Sequence, residues 1–209
     1  MTRKEFCERV LMEVYGTYPS DDSSITYNLV HSYLGDATAV AAKANYTDNI
    51  KIDGIGYVNG AFYTTYKSIA VTSDEQFLWK LTLPHIPVGL GRNEGISTLQ
   101  FKDADTGQVS LPCIPISESQ RTYFQTMRPI PNKVLFYNQG EFIYILTTIL
   151  MTDYTATVTM VSAGDGTDLM DTLNVPSDYF PIMIEYIKQQ LMLQRSVPQD
   201  PSNDGSDKK

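Results

Sequence analysis

His31 and His85 are the only histidines of the chain, and Cys7 and Cys113 the only cysteines. A histidine base needs a nucleophile beside it and an acid to orient it. No Gly-x-Ser-x-Gly elbow supplies a serine for that role. Cys113 with either histidine would make a thiol dyad. It stands, however, in Leu111-Pro112-Cys113-Ile114-Pro115, an apolar, strand-like setting where a free cysteine reads as a buried structural residue. His31 falls between core-stripe positions of a helix and reads as a core or interface residue, and His85 lies between Pro84 and Ile86 in a loop. The sequence therefore predicts no enzyme and no catalytic residue. The two cysteines lie far apart, with no Cys-x-x-Cys and no Cys/His cluster, which excludes a structural zinc site. One disulfide would satisfy them, but two buried free thiols fit a reducing compartment better.

Phosphate and metal chemistry fare no better. The run Val88-Gly89-Leu90-Gly91-Arg92-Asn93-Glu94-Gly95 lacks the Lys-Ser/Thr of a P-loop and does not lie between a buried strand and a helix. A glycine-rich turn is the better reading. Asp165-Gly166-Thr167-Asp168 places two carboxylates near a turn, but 164–173 lacks the ligand spacing and bidentate Glu of a calcium loop. Asn45-Tyr46-Thr47 matches a glycosylation sequon and, without a secretory signal, carries no meaning. No basic patch with interleaved aromatics stands out along the chain, so nucleic-acid recognition lacks a footprint. The expectation is no cofactor and no metal.

The 209 residues are 42% hydrophobic and 19% charged, which permits a folded core and excludes wholesale disorder. A formal charge of −8 makes a poor broad grip on phosphates. Fourteen Tyr beside one Trp and eight Phe suit partly wet subunit interfaces, and equally a β-rich chain. Glu5, Glu8 and Glu13 interrupt the N-terminal stretch, so no signal-peptide core is present. The longest apolar stretch, 142–151, is far short of a bilayer span. The sequence predicts a soluble protein made in the cytosol.

The elements follow from periodicity. Residues 2–15 form an amphipathic helix on Phe6, Val10 and Val14, with Thr2 and Glu5 as a capping box. A second helix starts at Asp22, Ser23 or Ser24 and runs on Ile25, Leu29, Tyr33, Ala37 and Ala41, with Gly35 as a weak point. Segments 61–71, 76–83, 96–101, 109–111, 134–137, 142–148 and 155–161 read as strands. Between them lie turns, including Val58-Asn59-Gly60, Ser73-Asp74-Glu75 and Asn138-Gln139-Gly140, the last being the best hairpin signal. Residues 117–124 read as a short helix. Pro181 sits in the first turn of a final helix that ends near Arg195, with Ile184, Ile187 and Leu191 on its core side. The fold expected is α+β: an N-terminal helix pair, a central antiparallel β region, a C-terminal helix and an extended acidic tail. The corresponding regions are 1–49, 50–173, 174–197 and 198–209. In the tail, Asp200, Asn203 and Asp204 are the candidate partner contacts, since each caps a turn or bonds a partner's backbone amide.

Two segments carry a resemblance. They are Leu83-Pro84-His85-Ile86-Pro87-Val88-Gly89-Leu90-Gly91-Arg92-Asn93-Glu94-Gly95-Ile96, and Pro176-Ser177-Asp178-Tyr179-Phe180-Pro181 through Arg195-Ser196-Val197-Pro198-Gln199-Asp200-Pro201-Ser202-Asn203-Asp204. With the order of elements, they resemble the head-to-tail connector (adaptor) subunits of tailed phages, in particular the ring proteins of Bacteroides-infecting, crAss-like podoviruses. The resemblance implies a non-enzymatic virion structural protein, made in the host bacterial cytoplasm. It implies a closed homo-oligomeric ring, roughly a dodecamer, with portal protein and adjacent connector and tail proteins as partners. Double-stranded DNA would pass through the channel without specific binding, helped by like-charge repulsion from the lumen, and no membrane would be involved. The alternative from another class is a soluble β-rich binding module, such as a capsid-decoration or receptor-binding domain.

Overall fold

Thr2 and Glu5 start the first helix, α1 (Arg3–Tyr15), as a reciprocal cap. The Glu5 amide donates to Thr2 Oγ1 at 3.2 Å, and the Thr2 amide donates to Glu5 Oε2 at 2.8 Å. That second bond, from the Thr2 backbone, holds the Glu5 carboxyl below its usual range. Two further orphan amides of α1 find chain carbonyls: Arg3 N–H donates to Asp171 at 3.0 Å and Lys4 N–H to Leu169 at 2.8 Å. The computed structural model describes residues 1–16, 25–75, 77–90, 95–103, 109–110, 113–126, 133–162 and 168–196.

The second helical stretch is two helices, α2 (Tyr27–Ser32) and α3 (Leu34–Asp53). It begins later than Asp22–Ser24 would set it, because the Thr26 hydroxyl accepts the Leu29 amide and caps the start. The break falls at Tyr33 and not at Gly35, where the Tyr33 amide tightens onto the Val30 carbonyl at 3.1 Å. α3 continues past residue 49 to Asp53 and stops on Gly54, whose φ of 72° suits a left-handed cap. The C-terminal helix, α5 (Phe180–Ser196), packs against α1 and α3. Met183, Ile184, Ile187 and Leu191 are its buried side, and Phe180 meets Phe6 edge-to-face at 5.5 Å.

Eight strands form the central region: β1 (Tyr63–Glu75), β2 (Leu78–Thr82), β3 (Ile96–Asp103), β4 (Val109–Ser110), β5 (Cys113–Pro115), β6 (Val134–Gln139), β7 (Phe142–Leu146) and β8 (Tyr154–Val161). They lie in the order β4-β3-β8-β1-β2-β7-β6-β5. Every pairing is antiparallel except β5 with β6, which is parallel. The region is antiparallel as expected apart from that pair, where α4 (Glu118–Thr126) carries the chain across between the two strands, and a helical crossover returns a strand in the same direction. The turn expected at Ser73-Asp74-Glu75 is strand instead. Ser73 pairs with Trp79 and Glu75 with Leu78, so the strand runs through all three residues.

β1 belongs to two wings. Tyr63–Ala70 pairs with β8, and Val71–Glu75 pairs with β2. Between Tyr66 and Ile69 the register slips, and Ser68 takes a φ of 58°. One buried cluster joins Phe101, Val158 and Met160 of one wing to Leu81, Phe136 and Ile145 of the other.

Candidate functional site

Cys7 and Cys113 are free thiols on separate clusters. Burial pushes Cys7 up to about 11 and Cys113 up to about 12, away from the thiolate form a nucleophile needs. Cys7 is fully buried as expected, whereas Cys113 is half-buried, because β5 is the last strand of its wing. His31 is half-buried on α2, and its enclosed Nε2 has no hydrogen-bond partner among the described residues. His85 lies against the Tyr66 ring at 5.9 Å. Among the described residues, no group of three or more His, Cys, Asp or Glu side chains is arranged to hold a metal ion. No helix among them is long and apolar enough to cross a membrane.

The glycine-rich run is tied down at both described ends. Val88 N–H donates to Val161 and Val161 N–H to Gly95, each at 2.8 Å. A Cβ on Gly95 would strike the Val88 carbonyl, so glycine is required for that close approach. Asp168 accepts the Met170 amide at 3.0 Å and closes the turn whose carbonyls cap α1. Residues 91–94, Asp165 and the tail candidates Asp200, Asn203 and Asp204 lie outside the described residues.

Two surfaces do stand out. The first is a cation–aromatic row on the outer face of β2, β7 and β6. Register sets Lys80 opposite Tyr144, and Tyr144 opposite Tyr137. The two tyrosine rings stack at 5.1 Å with an interplanar angle of 11°. Lys80 Nζ lies 3.8 Å from the Phe142 ring centroid, and Arg121, from α4, reaches over Tyr137 at 5.5 Å and Tyr144 at 5.8 Å. Lys80, Arg121, Phe142 and Tyr144 are each half-buried, so the row is open on one side. These residues come from three separate stretches of the sequence. The signal for them was the hairpin at Gly140: once Gln139 pairs with Phe142, Tyr137 must meet Tyr144.

The second surface is apolar and caps the β1–β2 hairpin. Phe77, at φ 65°, is 46% exposed, and Leu150 beside it is 69% exposed. With Trp79, Thr147 and Ile149 they line an open hollow of about 570 Å³. The left-handed backbone is held by the Phe77 carbonyl, which accepts the buried Thr147 amide at 3.2 Å. On the helical side, Val40, Pro181, Ile182 and Tyr186 line a groove between α3 and α5, and Met192 and Leu193 are exposed further along α5. No protein-family model matches the chain, and no curated protein matches it.

Proposed function

We propose that the chain is a structural subunit of a phage head-to-tail connector, forming with its copies a closed ring between portal and tail proteins. The resemblance in the Leu83–Ile96 and Pro176–Asp204 segments motivates this reading, and Phe77 is the observation that carries it. A bulky residue in left-handed backbone costs of order 1–3 kcal/mol. With its ring 46% exposed, packing within the hairpin end recovers only part of that cost. Glycine would serve the hairpin better, so the ring is explained by contact with another molecule. A closed ring is built from two unlike faces on each subunit. The hairpin end and the α3–α5 groove are two such faces, different in make-up and drawn from different layers. The subunit works as a wall and not as a catalyst. A net charge of −8 keeps passing DNA from adhering where it faces the lumen.

The test is native mass measurement and electron microscopy of the chain, alone and with a portal protein. Phe77→Gly is expected to hold or raise the melting temperature while reducing ring formation. A wild-type chain that stays monomeric in both conditions would falsify the proposal. The cation–aromatic row favours a second reading, a capsid-decoration or receptor-binding module, which would bind preformed particles without forming a ring.

A further inference from the structure

We infer that the cation–aromatic row of Lys80, Tyr144 and Arg121 is the docking site for the acidic, proline-bearing tail segment Pro198-Gln199-Asp200-Pro201-Ser202-Asn203-Asp204 of a neighbouring copy. The inference rests on the ring reading and gives it a second, electrostatic contact.

Charge complementarity comes first. Neither Lys80 nor Arg121 forms an ion pair among the described residues, where all the salt bridges lie elsewhere. Each cation sits over a ring, which leaves its donors free on the open side. The segment offers Asp200 and Asp204 as acceptors and no basic residue. Shape agrees. Lys80 is on β2 and Arg121 lies over the tyrosines of both β7 and β6, between one and two strand spacings away, on the order of 5–10 Å. Asp200 and Asp204 are four residues apart, about 12 Å in the extended conformation that Pro198 and Pro201 favour. Pro201 then falls between the two carboxylates, along the open side of the row beside the half-buried Phe142 and Tyr144. Proline on an aromatic platform between charged anchors is a recurrent mode of binding extended segments, because little chain entropy remains to be lost. A neighbouring copy supplies the segment. α5, which leads into it, packs in the helical layer on α1 and α3, while the row lies on the sheet face turned away from the inner cluster.

Charge reversal in the full-length chain tests this. One variant carries Lys80→Glu with Arg121→Glu, a second carries Asp200→Lys with Asp204→Lys, and a third carries all four. Self-association is read by sedimentation and native mass, with circular dichroism confirming that each variant is folded. Each double variant is expected to weaken association about tenfold, as two attractive pairs become repulsive, and the fourfold variant to recover most of it. Mixing the two double variants is expected to yield mixed dimers, because one keeps a good row and the other a good tail. Folded variants that associate like wild type overturn the docking and leave the ring standing. The absence of mixed dimers overturns the neighbouring copy as the source. A wild-type chain that never associates overturns both readings. A fluorescent dT oligonucleotide bound by wild type and lost on Lys80→Glu with Arg121→Glu would show a nucleic-acid site instead, and would also overturn the inference.

Discussion

Lys80 and Leu81 are consecutive residues of β2 that face opposite surroundings. Leu81 points into the cluster shared by both wings, with Trp79, Ile143 and Ile145 around it, and is 1% exposed. Lys80 points outward, onto Phe142 and Tyr144. Strand period separates the two sets cleanly, so the same three strands carry a core on one side and a polar–aromatic surface on the other. The inner side is apolar and closed. The outer side combines rings with cations, a composition found where an interface core meets its rim. α4 closes one part of the outer face, over Leu135, Leu146 and Ile116, and leaves the row beyond it open.

The sharpest way to probe the inner face is Cys113, which packs against its edge. With burial pushing its thiol up to about 12, alkylation at pH 8 should run roughly a thousandfold slower than in the unfolded chain. The folded thiol holds its proton more tightly than the unfolded one. Its contribution to stability is therefore complete below about pH 8.5 and is lost as pH rises towards the folded value. Labelling of native protein at the unfolded rate would show that the edge of the inner face is open. Next in size, Ile143→Ala should cost about 2–5 kcal/mol, since the side chain is fully enclosed and leaves a cavity. A melting temperature within a degree of wild type would contradict closure of the core. The smallest effect belongs to the outer face. Lys80→Gln should change stability by no more than about 1 kcal/mol, because a half-exposed cation–π contact is a modest term. A loss as large as that of Ile143→Ala would make Lys80 a folding residue and erase the contrast between the faces.

Much of the fold was legible because it is local. Thr2 and Glu5 announce α1 by spacing alone, and Ile184, Ile187 and Leu191 mark the buried side of α5. The hairpin at Gly140 follows from turn chemistry, with the glycine at a φ of 62°. What escaped depended on distant partners. The parallel β5–β6 pairing depends on where the chain returns after α4, and no local pattern encodes that. Extension of β1 through Ser73, Asp74 and Glu75 overrides their turn preference because β2 supplies a ladder. The cation–aromatic row was only half legible: the hairpin at Gly140 brings Tyr137 to Tyr144, but Lys80 and Arg121 join them through the β2–β7 pairing and the placement of α4. Phe77 has no sequence signal at all, because its interest lies in a positive φ.

The divided allegiance of β1 also has a consequence on the ribosome. Its second half finds β2, next along the chain, almost at once, and such a hairpin closes in about 1–10 μs. Its first half pairs with β8, and Tyr63 meets its partner only at Val161. At a synthesis rate of about 5–20 residues per second, the nascent chain carries half of β1 unpaired for roughly 4–17 s. For that interval it offers open backbone amides and carbonyls to any other emerging copy. Early capture by a chaperone is what that delay calls for.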